Sequence, residues 1–363
     1  MAIPVPTTTA KPEAEDFPPD VPVAHLHTID LGKLQAGDAA EAQQLFEASR
    51  TTGAFYLDLR SEESDILPVL EDIGLVSKEL FGLPLEEKCA YDVDKLTSRK
   101  CNGYKPVGRN YGGLAGQRDG FETYVIPKNG ILGLNNQADF PRPPVITAAL
   151  PTLHALTTAI NSAAQTITHH LSQTLALPPA HNLKYKHQIT TPSQDIIRLL
   201  KYQPQPASKQ ILIPHAAHTD MGSLTFLFTC QPGLQIQCPG EGEEKGDWEW
   251  VRPPREGHAI VNLGDSLSLL TNGVLRSCVH RVGQLPNRAM PTRYSFAYMV
   301  RPADHIVMVA PRTERIPATE PGVPVLTCEE WIERKYSVLR LKERPLGLEW
   351  MMTGQQQCGA QNV

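Results

Sequence analysis

The sequence predicts a mainly β protein, with a core of many short strands forming a sandwich, barrel or jelly roll, helices before it and one helix after it. Three observations carry this. Leu150, Leu153, Leu156, Ile160, Ala164, Ile167, Leu171 and Leu175 keep a 3.6-residue period, which marks a long amphipathic helix. From about Ser193 onward that period gives way to short β-type runs separated by turn residues. Proline makes up 32 of 363 residues, about 9% against about 5% in average usage. It clusters near the start, after helices and between β-runs, as expected where short strands need punctuation.

Residues 1–22, rich in proline and acids where a signal peptide would carry an apolar run, read as a flexible lead-in. His25–Asp30 reads as a strand, Ala39–Ser49 as a helix with Leu45 and Phe46 on one side, and Gly53–Leu57 as a short strand. Ile66, Val69, Leu70, Ile73, Val76 and Leu80 recur at helical steps and stop near Phe81–Pro84. Glycine-rich residues 101–133 read as loops with short strands, and Pro179 lies past the end of the long helix. The β-runs are Ile196–Tyr202, Ser223–Thr229, Leu234–Gln237, Glu249–Arg252, Ala259–Leu263, Ser277–Val282, Tyr294–Val300 and Ile306–Val309. Pro239–Asp247 reads as a solvated hairpin tip, and Glu329 to about Glu343, with Trp331, Tyr336 and Leu339, as the closing helix. The chain thus divides into the lead-in, a helical region at 23–185, a β core at 186–312, and a helix and tail at 313–363.

With 34 Lys+Arg against 39 Asp+Glu the chain has no basic footprint, which excludes a nucleic-acid partner. No run approaches the roughly 18 apolar residues of a membrane span. The seven cysteines are odd in number and scattered, with no CxxC pair, so reduced thiols in the cytoplasm are expected. These features point to a small-molecule partner and to a monomer or weak homo-oligomer.

The chemistry concentrates in His215–Thr225. On a strand His218 and Asp220 share a face, whereas His215 has the opposite parity and is the poorer partner. Sixty residues on, His280 stands in another β-run. Two imidazoles and a carboxylate can occupy one face of an octahedral ion and leave three positions open, the facial triad of non-heme Fe(II) oxygenases. HxD alone equally fits a hydrogen-bonded structural histidine. Arg293 and Ser295 share a face of the Tyr294–Val300 run. A guanidinium beside a hydroxyl suits a carboxylate, although a salt bridge to Asp265 would satisfy Arg293 as well.

HxD, a distant His in Ser277-Cys-Val-His-Arg-Val282, and Arg293-Tyr-Ser295 on the next run resemble the isopenicillin N synthase-like 2-oxoglutarate/Fe(II)-dependent dioxygenases, from about Leu26 to Trp350. Ile29-Asp30, Gly53-Ala-Phe-Tyr56, Phe81–Lys88 and Gly103-Tyr104 are similar to that family's helical N-terminal region. Gly233-Leu-Gln235, Asn262-Leu-Gly-Asp265 and Thr271-Asn-Gly273 are similar to its core motifs. The resemblance implies a double-stranded β-helix, a cupin-like jelly roll, with Fe(II) on His218, Asp220 and His280. It implies 2-oxoglutarate on Arg293 and Ser295, reached also by Tyr202. Leu200 stands where many plant members have asparagine.

The implied reaction is oxidation of a substrate C–H bond by O2 with release of succinate and CO2, as hydroxylation, desaturation or ring closure. Strand parity adds Arg198 and Met299 as pocket candidates, and the glycine-rich lid adds Tyr104 and Lys105. The overall style resembles fungal tailoring enzymes of secondary metabolism. Two other readings stay open at this point: an isopenicillin N synthase-like Fe(II) oxidase that does not use 2-oxoglutarate, and a non-catalytic small-molecule binder.

Overall fold

Strand alternation decides which side chains look inward, so the sheets come first. The computed structural model describes residues 17–339 apart from 19, 61–65, 97–99, 111, 115–116, 137–138, 209–211, 240–244, 320–321 and 323–324. Its strands are β1 (Thr28–Asp30), β2 (Ala54–Asp58), β3 (Gly103–Lys105), β4 (Phe121–Pro127), β5 (Ile196–Tyr202) and β6 (His215–His218). They continue as β7 (Leu224–Phe228), β8 (Leu234–Pro239), β9 (Lys245–Trp250), β10 (His258–Leu263), β11 (His280–Val282) and β12 (Arg293–Val300). Eight form one sheet in the order β1-β2-β10-β7-β12-β5-β4-β3, and four form the other in the order β6-β11-β8-β9.

The sheets face each other as a jelly roll. Ala54 and Ile260 of the larger sheet pack on Leu234, Ile236 and Cys278 on the smaller sheet's side. Phe121, Leu200 and Tyr202 pack on Val282 and Met290. The other face of the larger sheet carries Tyr124, Ile126, Ile197, Leu199, Phe226, Phe296 and Tyr298 into the main core, together with the helices. The long helix runs Leu150–Thr174, and seven of its eight periodic positions are fully buried, counting Leu175 just past its end. Burying each Leu or Ile is worth about 1.5–3 kcal/mol, which holds that face to the sheet. A second helix, Leu67–Gly82, packs beside it. Asp38 caps the Ala39–Thr51 helix by accepting from the Ala40 and Glu41 amides.

The structure redraws several expected elements. Four strands of the larger sheet, β1–β4, come from before residue 186. Phe17, in the expected lead-in, is buried against Trp250 and Leu285. Residues 306–309 form no strand, because Val307 makes only an isolated bridge to Thr327. Asp265–Leu270, inside a stretch without helical period, is a short helix. The closing helix runs Cys328–Leu339, and the rest of its expected span lies outside the described residues, as does the hairpin tip at 240–244.

Candidate active site

β6 and β11 pair antiparallel with His218 directly opposite His280. The His218 Nδ1 lies 2.8 Å from the Ala216 carbonyl and the His280 Nδ1 3.1 Å from the Cys278 carbonyl. A carbonyl can only accept, so each Nδ1 carries the hydrogen and each Nε2 keeps its lone pair. Both lone pairs sit beside Asp220: His218 Nε2 is 3.8 Å from Oδ1 and His280 Nε2 is 3.9 Å from Oδ2. One ligand atom from each of the three residues lies within 4.8 Å of the others.

Asp220 is held from behind. Thr225 Oγ1 and Asn262 Nδ2 donate to its Oδ2 at 2.6 and 2.9 Å. Burial would raise this carboxyl, but His280, His218 and the two donors bring it down to about 2. Burial, with His280 alongside, pushes the His218 imidazole down to about 3, so it stays neutral. Two imidazole nitrogens and one ionised carboxylate on an inner face could hold a divalent ion with positions left open.

A second carboxylate ties the ligand segments together. Asp265 accepts from Thr219 Oγ1 at 3.1 Å and from Ser277 Oγ at 2.6 Å, and it pairs with the Lys335 ammonium of the closing helix. It is therefore committed elsewhere and is not the partner of Arg293. Gly264 just before it must be glycine for space: a Cβ there would stand 2.3 Å from the Gly222 carbonyl and 2.6 Å from that of Asp220.

Arg293 starts the inward row of β12, followed by Ser295, Ala297 and Met299. Its guanidinium is 1% exposed, and Nη1 donates to Ser295 Oγ at 3.2 Å. Among the described residues Nε and Nη2 have no hydrogen-bond partner, and the guanidinium carbon lies 5.0 Å from the centre of the Tyr202 ring. A buried cation with two unpartnered nitrogens fits a carboxylate such as the one 2-oxoglutarate would bring. Tyr202 sits opposite Arg293 and Leu200 opposite Ser295 in the β5–β12 register.

The remaining candidates separate. Arg198 lies opposite Ala297 on the inner face, half-buried, with Nε 3.4 Å from Thr123 Oγ1. Met299 packs there with Val125, Ile196 and Ala297. Lys105 also faces inward, but its ammonium is committed to Asp119 at 2.6 Å and the Phe121 carbonyl at 2.8 Å. Tyr104 is a correction: one residue along β3 it takes the opposite face, joins the helix-side core, and donates to Glu122 at 2.7 Å. It is thus turned away from the triad. Sequence reasoning missed Thr225 as a support for Asp220, although its alternation with the core-facing Phe226 and Phe228 was readable. It also set His215 aside, and this residue proves to lie inside the site.

A family model described as the 2OG-Fe(II) oxygenase superfamily matches residues 193–302. A second, described as the non-haem dioxygenase in morphine synthesis N-terminal, matches residues 26–137. The 2-oxoglutarate-dependent dioxygenase ecdG of Aspergillus rugulosus is 33% identical over 295 residues, which cover 80% of this chain and 84% of that one. The dioxygenase gloE of Glarea lozoyensis is 32% identical over 282 residues, covering 78% and 81%. The solved full-length Neurospora crassa T7H in complex with alpha-KG shares the fold, with a TM-score of 0.70 at 22% identity over 86% of this chain and 96% of that one. A third of the residues shared with a relative across four-fifths of both chains, on top of a His-Asp-His cluster inside a jelly roll, makes this chain a member of the 2-oxoglutarate/Fe(II)-dependent dioxygenases.

Proposed function

We propose that His218, Asp220 and His280 hold Fe(II), that Arg293, Ser295 and Tyr202 receive 2-oxoglutarate, and that the enzyme oxidises a C–H bond of a small organic molecule. The observation that carries this is the pairing, on one inner surface, of the triad with a buried guanidinium whose Nε and Nη2 lack partners. Bound iron, with 2-oxoglutarate and O2, supplies the oxidising power, and 2-oxoglutarate leaves as succinate and CO2.

The protein's part is position, charge and exclusion of water. His218 and His280 present Nε2 atoms, and Asp220 balances part of the ion's charge while Thr225 and Asn262 fix its angle. Arg293 neutralises the distal carboxylate of the cosubstrate. Met299 lines the substrate side, and Arg198, with no acidic partner among the described residues, meets an anionic group of the substrate. Which C–H bond faces the ion decides between hydroxylation, desaturation and ring closure. The fungal origin of the similar relatives supports a tailoring step of secondary metabolism. Residues 186–312 are the segment that carries ion and cosubstrate, and the free thiols of the described cysteines support a cytoplasmic protein.

The test is succinate formation from 2-oxoglutarate with Fe(II) and O2 present. Turnover that needs all three and disappears in His218→Ala supports the assignment. Oxygen uptake without succinate, or full turnover in His218→Ala, would overturn it.

A further inference from the structure

His215 opens β6 three residues before His218, a spacing that on a regular strand puts the two on opposite faces. The register with β11 is not regular. His280 lies opposite His218 and Val282 opposite His215, so three steps of β6 run against two of β11. This bulge turns the His215 ring inward. It stacks on His218 with ring centroids 4.5 Å apart and planes at 24°, and against Phe121 at 4.4 Å. Its Nδ1 is 3.1 Å from the Tyr202 hydroxyl. The ring is thus fixed between the metal cluster and the wall that carries Arg293.

A phenol beside an imidazole can spend its proton on the imidazole nitrogen or receive a hydrogen from it, and the tautomer decides which. A carboxylate beside Arg293 accepts only. Tyr202 helps to bind it only if the hydroxyl proton is free to point there. Leu200, between Arg198 and Tyr202 on the same face, has no polar side-chain atom, so the position opposite Ser295 offers no substitute donor. We propose that His215 is a positioning residue for 2-oxoglutarate: its Nδ1–H donates to the Tyr202 oxygen, and the Tyr202 hydroxyl then donates to the distal carboxylate beside Arg293. The inference rests on the assignment of Arg293, Ser295 and Tyr202 made above.

The test measures 2-oxoglutarate binding by calorimetry on Mn(II)-loaded protein without O2, so that no turnover is needed. His215→Phe keeps a flat ring between Phe121 and His218 and removes both ring nitrogens, Nδ1 among them. It should weaken 2-oxoglutarate binding about tenfold, the effect of one lost buried hydrogen bond, and leave Mn(II) affinity in the absence of 2-oxoglutarate unchanged. In a Tyr202→Phe background the same change should add nothing. Wild-type affinity in His215→Phe, a further loss on top of Tyr202→Phe, or wild-type affinity in Tyr202→Phe alone would each overturn the relay. Arg293→Ala separates the two levels. If it abolishes binding while His215→Phe does not weaken it, only the relay fails. If it binds 2-oxoglutarate normally, the assignment beneath the relay fails as well.

Discussion

Replacing Lys335 with methionine tests how the closing helix supports the metal cluster. The Lys335 ammonium pairs with Asp265, at 6% and 5% exposure, and lies 4.8 Å from the centre of the Trp331 ring. Methionine keeps most of the apolar stem and deletes the charge. Removing one partner of a buried ion pair costs about 3–5 kcal/mol, because the other charge stays buried and uncompensated. Here Thr219 and Ser277 still donate to Asp265, each worth about 1 kcal/mol, so the lower end applies. At about 2.1 cal/mol/K of unfolding entropy per residue, the 363 residues give a shift of about 1.3 °C per kcal/mol, so a loss of about 3 kcal/mol lowers the melting temperature by about 4 °C. Thermal unfolding followed by tryptophan fluorescence reads this directly. Adding Asp265→Asn removes the stranded charge and should recover about half of the loss. Thr219 stands between two of the triad residues and Ser277 three residues before the third, so Lys335→Met should also raise the Fe(II) concentration needed for half-maximal turnover. A melting temperature within about 2 °C of wild type, or a double variant no more stable than the single one, would refute the reasoning.

Arg293→Ala should raise the KM for 2-oxoglutarate by at least about 30-fold, since truncating a buried hydrogen-bonded charge costs about 2–5 kcal/mol; an unchanged KM would count against the carboxylate site. His187 is buried, with Nδ1 2.7 Å from the Leu183 carbonyl and Nε2 2.6 Å from Ser223 Oγ, and burial pushes it down to about 4. The unfolded chain takes up this proton first, so stability is complete above about pH 6.5 and falls by up to about 3 kcal/mol as pH drops to 4. In His187→Gln, denaturant titrations across that window should show a flatter acid limb, and an identical slope would exclude His187 as its source. Gly264→Ala, which forces a Cβ against the Asp220 and Gly222 carbonyls, should reduce iron bound per chain; wild-type iron content would show that the backbone there can yield.

Periodicity alone located the long helix to within a residue of its end, because seven of its eight apolar positions are buried against one surface. HxD, His280 and Arg293-x-Ser295 were legible for a similar reason: alternation along single strands sets which side chains share a face. Sequence reasoning failed where neighbours decide. Ile306–Val309 has strand composition but finds no ladder partner, and Tyr104 takes the helix-side face of β3 while Lys105 takes the inner one. Asp265 could have answered Arg293, yet folding gives it to Lys335, Thr219 and Ser277 and leaves two guanidinium nitrogens without a partner among the described residues. Parity likewise excluded His215, until a bulge in a pairing between residues more than sixty positions apart reversed it. The order of residues therefore specified that His218 and Asp220 share a face, and that Arg293 and Ser295 do. Tertiary pairing alone decided which charges are satisfied and which ring stands beside the cosubstrate wall, because register and burial are properties of partners that no single segment contains.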